Sequence, residues 1–441
     1  MLHKLGAAAL EAERWLDRQP LGRLLLGTYL FALALALVVG LGYSFRSGIE
    51  MLDYDEWEYW QLSGSLLGGE FNDPGRRTLA YPAMLALLRL VSDNFQFVQV
   101  ALVLLATTAV PLLAHVMLRM GASRLPAVLA AAVLACWPPH LFLATSFYSE
   151  ALALPVLLLF LGLLPRRNEA GAGRLPVWLL CGVLLGLVAH VRTMYQLFIP
   201  VVLLILLFES WSLRAALGRW ALIIVGFLLA VLPWSAYVSD KTGAPVLLTA
   251  NGGETLAGGF NAELYRLEGE SMQLERRSTW LGPGKWVPSD ETGYLSPAET
   301  ELPYAEQDRL LRERTVAWLI ANPGDAVYLT TRKLTHQWGF YPLTRNGTVH
   351  LLVGNIPTMA LLALFLAALA LQPASRRLGA RFWLMPLFVT GIAVISWGSW
   401  RFRHPADAAM IAVVAVGVVA WLTTRRAAGR PVGAEEEALR A

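Results

Sequence analysis

The stretch LGRLLLGTYLFALALALVVGLGY, Leu21–Tyr43, and the acidic segment that follows it, Asp53-Tyr54-Asp55-Glu56-Trp57-Glu58-Tyr59-Trp60, decide the fold class. The first is an apolar run long enough for a helix to cross the hydrocarbon core of a bilayer, which takes about 20 residues. It lacks a small-residue cleavage site, so it reads as a retained first helix and not as a removed signal. Runs of the same kind recur at 95–118, 125–145, 150–165, 176–190, 194–209, 220–238, 350–371, 382–399 and 405–424. An all-α polytopic membrane protein with about ten transmembrane helices is therefore expected. Composition agrees. The chain of 441 residues is 56% hydrophobic and only 15% charged, with a mean hydropathy of +0.51, too little charge to coat a soluble chain. The net charge of +4 is spread over short loops and offers no patch for nucleic acid. The two cysteines, Cys136 and Cys181, both fall in apolar runs, which excludes a disulfide framework and a thiolate metal site.

Charge sets the sidedness. With the N-terminus inside, the inner segments hold Arg14, Arg18 and Arg23; Arg119 and Arg124; Arg166, Arg167 and Arg174. They continue with Arg214 and Arg219; Arg376, Arg377 and Arg381; Arg425 and Arg426, the positive-inside pattern. Thr78–Val91 is too short to cross comfortably, and counting it as a span would invert every later loop. It is expected to lie at the outer interface. Two large outer segments remain: the loop 44–94, with its interfacial helices, and Asp240 to Val349, roughly a hundred residues and enough for a small mixed or α domain. The expected organisation is a transmembrane module over 1–238 that includes the outer loop 44–94, an extracytoplasmic domain over 239–349, and closing transmembrane helices with a short charged tail over 350–441. In the outer domain Gly282-Pro283-Gly284 and Asn322-Pro323-Gly324 signal turns, and 303–321 and 324–338 have helical periodicity. The latter carries Tyr328, Leu329, Leu334 and Trp338 beside Arg332 and Lys333, a pattern suited to the membrane surface. Asn346-Gly347-Thr348 matches a glycosylation pattern too common to carry a claim. The alanine- and arginine-rich composition and short loops fit a bacterial inner membrane, with both termini cytoplasmic.

The acidic segment has a bland reading and a chemical one. Asp53 with Glu56 forms a D-x-x-E capping box for a helix running to about Leu67, and Trp57, Tyr59 and Trp60 suit an aromatic belt. Capping does not require Asp55, whose carboxylate would stand partly desolvated near the membrane surface, where it can act as a general base toward a hydroxyl. Other charged groups mark the remaining outer helix ends: Arg76-Arg77, Tyr148-Ser149-Glu150, His190-Val191-Arg192 and Arg401-Phe402-Arg403-His404-Pro405. Snorkelling, or pairing with Glu150 and the Asp53–Glu58 acids, accounts for any single arginine. The convergence of Arg76, Arg77, Arg192, Arg401 and Arg403 on one membrane face favours a pocket for an anionic headgroup. Guanidinium donates two parallel hydrogen bonds to phosphate and stays charged in a low dielectric.

The order of these motifs resembles the GT-C superfamily of lipid-linked-sugar glycosyltransferases, near the protein O-mannosyltransferases and aminoarabinose transferases. The resemblance is carried by Asp55-Glu56 with Tyr59, by Arg77-Thr78-Leu79-Ala80-Tyr81-Pro82, and by Tyr148-Ser149-Glu150. It continues through the run Gly182–Arg192, Asn251-Gly252-Gly253-Glu254 and Arg401–Pro405, in order from about residue 20 to 424. One departure is that Arg76-Arg77-Thr78 stands where aminoarabinose transferases carry Lys-Pro-Pro. The resemblance implies an inverting transfer of a sugar from a polyprenyl-phosphate donor to a hydroxyl of a glycan, lipid or protein on the outer face. It implies Asp55 and Glu56 as catalytic, with Asp55 taking the acceptor proton, and Arg76, Arg77, Arg192, Arg401, Arg403 and His404 at the donor phosphate. Asp53, Tyr59, Tyr81, Glu150, His190 and Glu254 follow as further substrate contacts. No organic cofactor is expected; a divalent cation (Mg, Mn or Ca) is left open, with Asp53 and Asp55 as its D-x-D ligands. A transporter or flippase for a lipid-linked intermediate is the main alternative. It is disfavoured by the lack of an internal repeat and by charges that sit at helix ends, not mid-membrane. A non-catalytic subunit of an envelope-polymer assembly would keep the topology without needing Asp55.

Overall fold

The computed structural model describes residues 2–44, 48–52, 54–73, 75–167, 169, 172–209, 211–261, 295–340 and 354–428. Asp53, the turn at Gly282–Gly284, the Asn346 pattern and the tail beyond Ala428 lie outside the described residues. All regular structure among the described residues is helical: α1 (Leu2–Asp17), α2 (Leu21–Leu35), α3 (Tyr54–Leu67), α4 (Ala80–Val91), α5 (Phe95–Ala106), α6 (Ala109–Arg119), α7 (Arg124–Cys136), α8 (Pro138–Thr145) and α9 (Glu150–Leu163). There follow α10 (Leu175–Val191), α11 (Ile199–Phe208), α12 (Leu213–Thr242), α13 (Gly252–Gly259), α14 (Tyr304–Ala321), α15 (Pro323–Gln337), α16 (Ile356–Leu371), α17 (Ala380–Ile395) and α18 (His404–Ala428).

Apolar helices stand at all ten expected places, but their lengths differ from the sequence expectation. Leu21–Gly40, Phe95–Arg119, Leu213–Thr242 and His404–Thr424 are long and apolar enough to cross a membrane alone. The expected span 125–145 is a pair, α7 and α8, bent by 63°. Trp137 is extended there, as the residue before a proline prefers, and Pro138-Pro139 supply no N–H to continue the helix. The expected span 194–209 is a 3₁₀ turn, Thr193–Phe198, followed by the ten-residue α11. Conversely α12 begins at Leu213 instead of 220 and runs 30 residues. Leu26, Leu30 and Val38 near the start, Leu229 and Leu232 on α12, Leu364 and Leu366 on α16 and Leu387 on α17 are all exposed, an apolar belt that a bilayer covers.

Loop contacts join predicted inner segments to inner and outer to outer. At one end, the Glu13 carboxylate accepts the N–H groups of Arg124 and Leu125, each at 3.1 Å, Arg119 pairs with Glu169 and Arg381 with Glu209. At the other, Thr78 Oγ1 donates to the His190 carbonyl, Ala250 N donates to Gly75 O at 2.7 Å, and Trp397 Nε1 donates to Thr255 O at 2.5 Å.

Two packing features position that second end. α10 and α12 cross backbone to backbone at Gly182, Gly186 and Gly226. A Cβ on Gly226 would overlap the Leu179 carbonyl, and one on Gly182 the Ile223 carbonyl. Such small residues let membrane helices approach closely, which fixes where α10 ends and Arg192 emerges. The second is α15, expected on the membrane surface. Instead it docks on the bundle through Leu329, Lys333 and Gln337, all fully buried. Lys333 Nζ donates to Ser396 O at 2.8 Å and Val394 O at 3.3 Å, and lies 3.3 Å from the Phe260 ring centre. Helix ends leave carbonyls without intrahelical partners; Lys333 satisfies those at the end of α17, just before the segment that carries Arg401.

Candidate active site

The first turn of α3 aims Asp55 and Glu58 at Arg77. Arg77 Nε donates to Glu58 Oε2 and Nη2 to Asp55 Oδ1, both at 2.7 Å, and the guanidinium lies 5.1 Å over the Tyr59 ring. Arg77 is held by the turn Asp73–Arg77. Asp73 Oδ1 accepts the N–H groups of Gly75 at 2.7 Å and Arg77 at 3.0 Å, and that of Arg76 as well. Gly75 has φ +94°, a backbone region where a side chain is disfavoured. Asp-Pro-Gly is a turn signature, so this support was readable in the sequence and was passed over.

From the opposite side Arg401 Nη2 donates to Asp55 Oδ2 at 3.0 Å, so each oxygen of Asp55 takes one guanidinium. Arg401 also lies 4.1 Å over the Tyr148 ring, and its Nη1 is 3.9 Å from Glu150 Oε1. Arg192 reaches the same carboxylate at 2.8 Å, donates to Ser149 Oγ at 3.3 Å and lies 4.7 Å over the Phe402 ring. Tyr59 OH donates to Ser149 Oγ at 3.3 Å. A small, half-open cleft adjoins these groups, lined in part by Glu150, Arg192, Tyr195, Arg401, Phe402 and His404. Burial alone would raise the Asp55 carboxyl; Arg77 and Arg401 outweigh it and hold the group well below the usual carboxylate range. Burial works against the charge of Arg401, but Glu150 and Asp55 more than restore it.

The other expected residues divide. Glu56 is fully buried and its Oε1 accepts the N–H of Phe147 at 2.9 Å, which fastens α3 to the turn before α9. Tyr81, equally buried, donates to Phe147 O at 2.8 Å. Glu254 holds Arg76 through Nε at 3.2 Å and Nη2 at 2.6 Å and accepts the Tyr304 hydroxyl, so Arg76 and Glu254 join the first loop to α13. His190 Nε2 lies 3.2 Å from Ala230 O. Arg403 turns away from Asp55: Nε donates to Asp407 Oδ1 at 2.7 Å, Nη2 to Thr358 Oγ1 at 2.8 Å and Nη1 to Gln337 O. His404 borders the cavity with its Nε2 3.0 Å from His140 Nδ1. Asp55, Arg77, Arg192, Arg401, Tyr59 and Glu150 are thus brought together, and Glu58 and Ser149 join them as residues the sequence reading did not assign.

Of the expected D-x-D pair, Asp53 lies outside the described residues, and Asp55 alone offers no open oxygen to a divalent cation. Such ions take several oxygen ligands, yet both Asp55 oxygens already face guanidinium groups that would repel one. Among the described residues no three His, Cys, Asp or Glu side chains gather as ligands.

No protein-family model matches the chain, and no curated protein matches it in sequence. Solved structures do match. The apo crystal structure of the Archaeoglobus fulgidus oligosaccharyltransferase superposes with a TM-score of 0.53 at 13% identity, covering 92% of this chain and 51% of that one. The oligosaccharyltransferase AglB from the same organism, in complex with an inhibitory peptide and a dolichol-phosphate, gives 0.53 at 12% identity, covering 92% and 50%. The chain therefore spans about half the length of these proteins. ArnT from Cupriavidus metallidurans bound to undecaprenyl phosphate overlaps more loosely, with a TM-score of 0.39 at 13% identity, over 91% of this chain and 78% of that one. At these identities the likeness shows the fold alone: this chain shares the fold of the archaeal oligosaccharyltransferase over 92% of its own length.

Proposed function

We propose that the protein is an inverting glycosyltransferase that moves a sugar from a polyprenyl-phosphate donor to an acceptor hydroxyl at the outer face of a bacterial inner membrane. In this reading all ten apolar helices cross, the short ones as broken or tilted spans, with both termini inside. One observation carries it: Arg192 and Arg401 line a small cleft, with Arg77 joined to Arg401 through Asp55, around carboxylates that already balance them. The AglB complex holds a dolichol-phosphate, a phosphate-headed lipid.

The donor phosphate would lie against Arg192 and Arg401. Paired with two guanidinium groups that stabilise its anion, Asp55 is a poor base. A phosphate drawing Arg401 and Arg77 toward itself relieves that pairing and restores the basicity of Asp55. The acceptor oxygen then attacks the anomeric carbon from the face opposite the phosphate, and Asp55 takes its proton. The bond from the anomeric carbon to the phosphate oxygen breaks, and its electron pair stays on the phosphate. The arginines stabilise the charge growing there, in place before the reaction begins, so no general acid is required. Glu254–Arg76 and Thr255–Trp397 tie the outer segment to both arms of the site.

The test is binding of undecaprenyl phosphate and sugar release from a panel of lipid-linked donors, wild type against Asp55→Asn. Turnover is expected to fall about 100-fold or more with lipid binding retained. Binding without turnover across the panel, or an unaffected variant, would point instead to a carrier or an accessory subunit.

A further inference from the structure

Glu150 stands where an anion would stand. It opens α9 with 3% of its surface exposed, 2.8 Å from Arg192 Nη1 and 3.9 Å from Arg401 Nη1. Neither carboxylate oxygen accepts a directed hydrogen bond among the described residues, and Arg401 Nη1 donates none. Tyr195 and His404 line the same cavity, Tyr81 and Tyr148 stand near the pair, and Asp55 lies beyond Arg401. A buried ion pair without hydrogen bonds is costly for its own sake. Guanidinium groups placed so can turn to a third partner in the cavity, while the carboxylate balances them when the cavity is empty.

We propose that Glu150 discriminates by charge between lipid donor and lipid product at this seat, and so speeds release of the product. This rests on the donor reading above. The donor phosphate is a diester with one negative charge. Transfer leaves a monoester, which carries about 1.5 to 2 negative charges at neutral pH. A seat of arginines alone would hold the product more tightly than the donor and stall after one turnover. A fixed carboxylate beside them repels both ligands, and repels the product more because its charge is greater.

The experiment measures binding of undecaprenyl phosphate and of its methyl phosphodiester to the full-length protein in lipid nanodiscs. Wild type is compared with Glu150→Gln and Glu150→Asp, with thermal melting as the check on folding. Wild type is expected to hold the two lipids with similar affinity. Glu150→Gln should tighten the monoester roughly tenfold, about 1.4 kcal/mol, and the diester much less, while Glu150→Asp stays near wild type. The monoester advantage of the Gln variant should fade below about pH 6, where the ligand loses its second charge. An unchanged monoester-to-diester ratio in Glu150→Gln overturns the proposal. So does equal weakening of both lipids in both variants, which would make Glu150 a structural support for Arg192. If wild type binds neither lipid, the donor reading falls first and this inference falls with it.

Discussion

Two arginines at opposite ends of the bundle, Arg381 buried and Arg401 partly buried, show how the same side chain makes a fastener or a seat. Arg381 opens α17 and is 2% exposed. Its Nε and Nη2 grip Glu209 at 2.8 and 2.7 Å, Nη1 reaches the Leu161 and Leu164 carbonyls at 2.7 and 2.6 Å, and Nη2 also reaches Pro165 O at 3.4 Å. All five N–H groups of a guanidinium are thereby used, and the open carbonyls at the end of α9 are closed. Arg401 spends Nη2 on Asp55 and leaves Nη1 without a hydrogen bond among the described residues, next to a cavity. Saturation marks the structural arginine; an unspent donor buried beside a cleft marks the one available to a ligand.

The sharpest way to break this contrast is to truncate both. Arg381→Ala strands the Glu209 charge and several carbonyls, and losing one partner of a buried pair costs about 3–5 kcal/mol. Its melting temperature in detergent should collapse, with little folded protein recovered. Arg401→Ala should melt within a few degrees of wild type while sugar transfer falls about 100-fold or more, the scale of a lost donor to a developing charge. A stable Arg381→Ala, or an Arg401→Ala that fails to fold, would dissolve the distinction.

A smaller effect sharpens it. Arg401→Lys keeps the charge but loses the planar fork, which at a two-pronged site is not a conservative change. Transfer should fall roughly tenfold, with binding of a phosphate-headed lipid largely retained, and melting should not move. Full activity would mean that Arg401 acts only as a point charge.

These residues also show what a sequence can and cannot disclose. Apolar runs located the helices, because burial in lipid is written in composition and length. Asp55, Arg77, Arg192 and Arg401 were visible as charges at helix ends, where desolvation makes charge unusual. Direction was harder. Arg401 and Arg403 are two residues apart and point to different partners. The clue was present: Arg403 and Asp407 are spaced i, i+4 at the start of α18, a spacing that pairs side chains along one helix. The bend at Trp137-Pro138 was likewise legible in its prolines. The role of Glu56 was not, since its partner is a backbone N–H 91 positions away. Nor was the burial of Lys333, which follows from a carbonyl-rich helix end brought to it by the tertiary fold.

Lys333 extends the contrast to a buried amine held without any carboxylate, and its effect should be the most dependent on pH. Burial pushes its ammonium down to about 6, against about 10.4 in an unfolded chain. Between those values the unfolded chain holds a proton that the folded one has released, so stability rises with pH across the window. The penalty is complete below about pH 6 and gone above about 10.4. The melting temperature of wild type should therefore climb from pH 6 to pH 9, and Lys333→Met should flatten that climb and melt a few degrees higher at pH 6. Should Lys333→Met instead melt lower at every pH, the two carbonyls and the Phe260 ring would be holding a charged ammonium in place. Lys333 would then belong with Arg381, as a fastener of the segment that presents Arg401.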